Sequence, residues 1–181
     1  MARNIEIKAR IENVALITPK VAEMANEGPI EIAQDDTFFN CDNGRLKLRA
    51  FSNDLGELIF YRRVNQAGPK ESFYLRSPTS SPETLRESLS LAYGQIGRVR
   101  KYRTLFLVGR TRVHLDRVED LGHFLELEVM LVDDETPEQG ILEASRLMDR
   151  LGIQPEQLID GAYLDLLLAQ EPVPGRETGK N

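Results

Sequence analysis

Eight stretches of this chain alternate apolar and polar residues with a period of two, and a chain patterned in that way along most of its length builds sheet. They lie at about 3–11, 33–40, 44–52, 56–64, 70–76, 97–109, 111–118 and 122–132. Gly, Asn or Asp stands at most junctions, so successive strands are expected to turn back on one another. Four other segments read as helices, at about 14–26, 82–93, 137–151 and 161–169. Pro19 lies within the first and counts against its opening turns, so its start could fall later than 14. Ser81, Pro82 and Gly94 bracket the second, and Thr136 with Gln139 has the spacing of a capping box for the third, which Gly152 ends. The expected fold class is α+β: a closed eight-stranded antiparallel β-barrel with helices packed outside, since eight strands suit a small barrel and closure removes the sheet edges. One domain is expected over 1–170. The segment 171–181 (EPVPGRETGKN) has nothing to bury and is expected to be disordered.

The charged residues on these strands are sorted by sign. Side chains two apart share a face and lie about 6.5 Å apart along the strand. Asn4, Glu6, Lys8 and Arg10 share one face, and Arg45, Lys47 and Arg49 another. Lys101 lines up with Arg103, Arg112 with His114 and Asp116, and Glu126 with Glu128. Two readings follow. An antiparallel sheet with one solvated face shows this same alternation. Three consecutive basic residues on one face nevertheless repel one another unless an anion lies between them, and a mixed solubility surface would interleave the signs. Turned inward, these faces would line a passage rich in Lys and Arg with carboxylates along one wall. Burying so much charge requires a ligand and a metal to neutralise it. Periodicity alone leaves both readings open.

Charge along the chain narrows the class of partner. The net charge is −6, but residues 1–113 carry +5 and residues 114–181 carry −11. An acidic protein is a poor general binder of nucleic acid, whereas a basic cluster inside one suits a local anion site. No apolar run is long enough to span a bilayer and no signal-peptide pattern opens the chain, so neither membrane nor nucleic acid is expected as partner. The single Cys41 forms no intrachain disulfide, and a reducing, cytoplasmic setting is expected. Oligomeric state is not encoded in any of these features.

In order along the chain, the residues resemble the CYTH superfamily, the triphosphate tunnel metalloenzymes, whose members include class IV adenylate cyclases, thiamine triphosphatases and inorganic triphosphatases. The family's opening E-x-E-x-K appears as Asn4-Ile5-Glu6-Ile7-Lys8. It is followed by Gln34-Asp35-Asp36-Thr37-Phe38-Phe39, Gly44-Arg45-Leu46-Lys47-Leu48-Arg49 and Tyr61-Arg62. Val99-Arg100-Lys101-Tyr102-Arg103, His114-Leu115-Asp116 and Leu121 through Glu128 complete the series, and Ala162 through Leu167 is similar to the family's C-terminal segment. The resemblance implies a triphosphate tunnel with its charges inward. It implies that Glu6, Asp116, Glu126 and Glu128 hold Mg2+ or Mn2+, and that these with Lys8 are catalytic. It further implies that Lys8, Lys47, Arg49, Arg62, Lys101, Arg103 and Arg112 grip the phosphates of a small-molecule triphosphate. Asn4 departs from the motif by replacing a carboxylate with an amide. His114 reads as a strand-face partner for a carboxylate, and Phe38, Phe39 and Cys41 as packing.

Two reactions fit that apparatus. Attack of water on the terminal phosphorus makes a triphosphatase, the expectation preferred here because it demands fewer contacts. Attack of the ribose 3′-hydroxyl of ATP on the α-phosphorus makes cyclic AMP and pyrophosphate. A non-catalytic polyphosphate-binding module is a further alternative, motivated by Asn4, and a structural barrel with all its charges solvated is another.

Overall fold

The computed structural model of the chain describes residues 2–63 and 67–170. The expectation for 171–181 lies outside the described residues. Eight strands form: β1 (Ala2–Ile11), β2 (Glu27–Phe39), β3 (Arg45–Ala50), β4 (Gly56–Arg63), β5 (Lys70–Thr79), β6 (Gln95–Val108), β7 (Thr111–Val118) and β8 (Gly122–Met130). Every neighbouring pair is antiparallel, and the order β1-β5-β4-β3-β2-β6-β7-β8 returns to β1, so the sheet is a ring. Helices α1 (Val14–Met24), α2 (Pro82–Tyr93), α3 (Pro137–Leu151) and α4 (Tyr163–Gln170) lie outside the ring or at its end. The expected α+β class and strand count are what the chain adopts.

Strand alternation decides which side of the ring each residue faces. On β1 and β8 the odd-numbered Ile5, Ile7, Ala9, Leu125, Leu127 and Val129 are fully buried beneath helices. Ile7, Ala9, Leu125 and Leu127, with Val113, Leu115 and Phe106, form the main core against Val14, Ile17 and Val21 of α1 and Leu147 and Leu151 of α3, while Ile5 and Val129 pack on Ala144 of α3. Each fully buried Val, Leu, Ile or Phe among them contributes about 1.5–3 kcal/mol. Once the apolar face is committed to the helices, the even-numbered charged residues can only face the interior.

Two local expectations are corrected, and the start of the first helix at 14 holds. Helix α1 begins at Val14 in spite of Pro19, because two acceptors hold its first turn: Asn13 Oδ1 takes the Ala15 N–H at 2.9 Å and His123 Nδ1 takes the Val14 N–H at 3.0 Å. The Thr136–Gln139 capping box does not close, since Thr136 makes no side-chain cap bond, although Gly152 ends α3 in the left-handed conformation. Strand β2 starts six residues before the expected 33, because its exposed opening carries Gly28 and Pro29, which mask a strand pattern. Gly28 has φ +110°, and a Cβ there would meet the Leu105 carbonyl at 2.7 Å, so this register shift requires glycine.

Candidate active site

A cavity of about 360 Å3 occupies the interior of the ring. Its two long walls differ in character. Strands β3 and β6 supply Lys47, Arg49, Lys101 and Arg103 around Asp36 of β2, while β1, β7 and β8 supply Glu6, Glu126 and Glu128 with His114. In the strand order β3 lies four places from β8, so Lys47 and Arg49 stand across the cavity from Glu126 and Glu128, while β6 adjoins β7 and its Arg103 reaches the carboxylate side.

At the centre of the basic wall is Asp36, 1% exposed. Arg49 donates to both of its oxygens at 2.7 Å, Lys47 Nζ donates at 3.1 Å and Lys101 Nζ at 3.4 Å. Burial opposes the charge on Asp36, but Arg49, Lys101 and Lys47 outweigh it and hold its pKa well below the ordinary carboxylate range. The lysines move the other way. Burial pulls Lys47 down to about 8, with Arg49 adding to the fall and Asp36 resisting it. Burial takes Lys101 down to about 7 against the pull of Asp36. Their ammonium charge is therefore conditional on an anion beside them.

The opposite wall is ordered by register. Glu6 lies across from Glu128 and Lys8 from Glu126 on one side, and His114 from Glu126 and Arg112 from Glu128 on the other. Lys8 Nζ is 3.2 Å from Glu126, Arg103 is 3.6 Å from it, and His114 Nδ1 is 3.3 Å from Glu126 and 3.8 Å from Glu128. Burial disfavours charge on Glu126, yet Lys8, the His114 hydrogen bond and Arg103 prevail and its pKa is well below the usual range. Arg112 reaches Glu128 at 3.7 Å from a more open position.

One end of the ring is stopped by α4. Tyr163 and Leu164 pack with Phe38, Val99 and Phe124, and the Tyr163 hydroxyl donates to Asp116 Oδ2 at 2.7 Å. Asp116 also receives both prongs of the Arg103 fork at 2.7 Å. Burial would raise the Asp116 carboxyl, but Arg103 brings it down to about 2. Lys8 sits 4.1 Å from the centre of the Tyr163 ring and Lys101 5.4 Å from it, within the range of cation–π attraction.

Of the residues expected in a site, Glu6, Lys8, Lys47, Arg49, Lys101, Arg103, Arg112, Glu126 and Glu128 line this cavity. Two expectations are corrected. Arg62 is exposed on the outside of the ring, where it bonds the Asn43 carbonyl at 2.7 Å and lies over Phe60. The neighbouring Ile59 and Tyr61 take the inward places on β4, so parity forces Arg62 outward. Asp116 does not join the other carboxylates, because it is in register with Arg103 on β6 and Phe124 on β8, nearer to α4, and is engaged there. Asp36, Tyr163 and Arg76 line the cavity without having been singled out. Asp36 could have been found, since Gln34, Asp36 and Phe38 share one strand face, whereas Tyr163 lies in a helix that strand periodicity cannot place.

Could the carboxylate wall hold the expected cation? Among the described residues His114, Glu126 and Glu128 each offer one ligand atom, and these atoms lie within 4.8 Å of one another. Two carboxylates suit a hard divalent ion, and one imidazole is compatible with Mn2+. Asn4, on the same face as Glu6, is 3% exposed, and its Oδ1 is buried without a hydrogen-bond partner, an acceptor left over in the cavity lining. The donor set fits a divalent cation.

The comparisons with known proteins agree with this architecture. Adenylate cyclase CyaB from Aeromonas hydrophila is 25% identical over 182 residues, covering 94% of each chain. A protein of Pyrococcus horikoshii shares the fold with a TM-score of 0.79 and 25% identity, covering 90% of this chain and 98% of its own. A putative adenylyl cyclase from Hippeastrum, described as having a dominant triphosphatase activity, shares it at a TM-score of 0.66 and 14% identity, over 96% and 98% of the two chains. The CYTH domain itself matches residues 2–163. That span takes in all eight strands and both charged walls, and the chain belongs to the CYTH family.

Proposed function

We propose that this chain is a metal-dependent enzyme that holds a triphosphate in the interior of its barrel and hydrolyses it. The observation that carries the proposal is the opposition of Lys47, Arg49 and Lys101 to Glu6, Glu126 and Glu128 across one cavity. A bare anion would be repelled by the second set and a bare cation by the first, whereas a polyanion paired with a divalent ion suits both. Lys47, Arg49 and Lys101 would bind the phosphate oxygens and align the chain of phosphorus atoms. Lys8 and Arg112, on the carboxylate side, would neutralise the group being displaced. A divalent ion held by Glu126, Glu128 and His114, with Glu6 beside them, would supply charge neutralisation and substrate orientation; Mg2+ and Mn2+ are the candidates. Phosphoryl transfer asks little more of a protein than positioning and preorganised charge.

The likeness to CyaB favours a second reading, in which ATP is cyclised to cyclic AMP with loss of pyrophosphate. The Hippeastrum protein, with the same fold, is described as mainly a triphosphatase. Incubation of the chain with tripolyphosphate and nucleoside triphosphates, with Mg2+ or Mn2+ and with chelator, separates these readings. Metal-dependent release of orthophosphate is expected. Cyclic AMP and pyrophosphate from ATP would replace the proposal with the cyclase reading, and binding without any product would replace it with a non-catalytic polyphosphate binder.

A further inference from the structure

We propose that Asp36 is the positioning residue of the basic wall: a resident carboxylate that gathers Lys47, Arg49 and Lys101 and favours their charged forms before a polyphosphate arrives. The inference rests on the triphosphate reading above and adds to it the element that makes the clamp ready. Asp36 is 1% exposed, and three cations from two strands converge on its two oxygens within 3.4 Å. Beyond Asp36, the lysines have other cations and aromatic rings as neighbours, while Arg49 also has Glu57 across from it on β4. Lys47 stands beside Arg49 and between the rings of Phe38 and Tyr61, and Lys101 lies 5.4 Å from the Tyr163 ring.

The charges surrounding this group come from every adjoining element: Arg103 on β6, Asp116 on β7, Glu57 on β4 beside Arg49, and Tyr163 on α4. Asp116 is itself engaged by Arg103 and Tyr163, and Glu57 acts on Arg49, so neither replaces Asp36 at the lysines. Asp36 is the anion that raises both lysine pKa values, against burial and the arginines that lower them to about 8 and about 7. Without it, both fall further, and near neutral pH a smaller share of the amines is charged. Binding of a triphosphate would then draw a proton from solvent for each neutral amine it engages.

The test is Asp36→Asn, which keeps the shape and removes the charge. Tripolyphosphate binding without metal is measured by calorimetry at pH 7.5 and pH 5.5 for both proteins, with melting curves to verify folding. At pH 7.5 the variant should bind at least tenfold more weakly than wild type and take up more protons per ligand, read from buffers of different ionisation heat. At pH 5.5, where more of the amines are protonated, the gap should narrow to a fewfold. Asp36→Glu should restore most of the affinity. Tighter binding by Asp36→Asn at pH 7.5 would overturn the inference by showing that Asp36 competes with phosphate. An equal loss at both pH values would overturn it by showing a merely structural role. For a variant that does not fold, the pH at which 13C-methylated Lys101 titrates in Asp36→Glu replaces it: a titration like that of wild type supports the inference, and a marked fall despite the retained carboxylate contradicts it. Failure of wild type to bind tripolyphosphate at either pH would instead defeat the triphosphate reading itself.

Discussion

Replacing Glu128 by Gln is expected to lower metal-dependent turnover by about 100-fold or more, since even the outer partners of metal ligands are worth 10–100-fold. Stability should change by less than about 1 kcal/mol, because the contacts of Glu128 to Arg112 at 3.7 Å and to His114 at 3.8 Å are loose. Glu126→Gln should lose turnover to a similar degree but also unfold more easily, by about 3 kcal/mol. It leaves the ammonium of Lys8, a residue 3% exposed, without its counter-charge, and breaking a buried pair is far more damaging than breaking a surface one. The two variants thus separate chemistry from folding. The carboxyl of Glu126 is held below its ordinary pKa, so its stabilising effect is complete above the usual carboxylate range and fades as acid titrates the folded protein. Glu126→Gln should lack that part of the acid dependence. Phosphate release and urea unfolding, measured on both variants, check these statements. Near-normal turnover in Glu128→Gln would put the cation elsewhere.

On the opposite wall, Arg49→Ala and Lys47→Ala should each weaken tripolyphosphate binding by about 1.5–3 kcal/mol, the range for hydrogen bonds to charged groups. That corresponds to roughly 10- to 150-fold in Kd. Arg49 should lie at the upper end, because its planar fork already presents two donors in fixed geometry, as its contacts to Asp36 illustrate. Arg62→Ala should leave affinity unchanged, since that side chain lies outside the ring. Calorimetric titration of the three variants decides the matter. A loss at Arg62 as large as that at Arg49 would contradict the placement of the clamp.

How much of this could be read from the residues alone depended on whether strand parity governed them. Period-two alternation located all eight strands, and the sign sorting of Lys47, Arg49, Glu126 and Glu128 pointed to an organised interior. Parity also carried the correction for Arg62: with Ile59 and Tyr61 inside, residue 62 cannot be. What the alternation could not supply was pairing between strands. Whether Asp116 faces Glu126 or Arg103 depends on the register of β7 with its two neighbours, which no single strand encodes. The role of Asp36 has the same origin, because its partners come from β3 and β6 and are distant in sequence. Tyr163 was hidden for another reason. A short helix at the end of a ring is placed by tertiary packing on Phe38 and Phe124, and nothing local marks which of its residues will point inward. The early start of α1 likewise depends on His123, more than 100 residues away in the chain.

The central claim is that the interior recognises a run of phosphates more than the group that carries them. Competition measures this directly. Adenosine, its mono-, di- and triphosphates, and free tripolyphosphate are each titrated against a bound fluorescent triphosphate, with Mg2+ present. The account predicts that affinity climbs with each phosphate and that tripolyphosphate competes about as well as ATP. Affinity that follows the nucleoside and ignores the number of phosphates would contradict it.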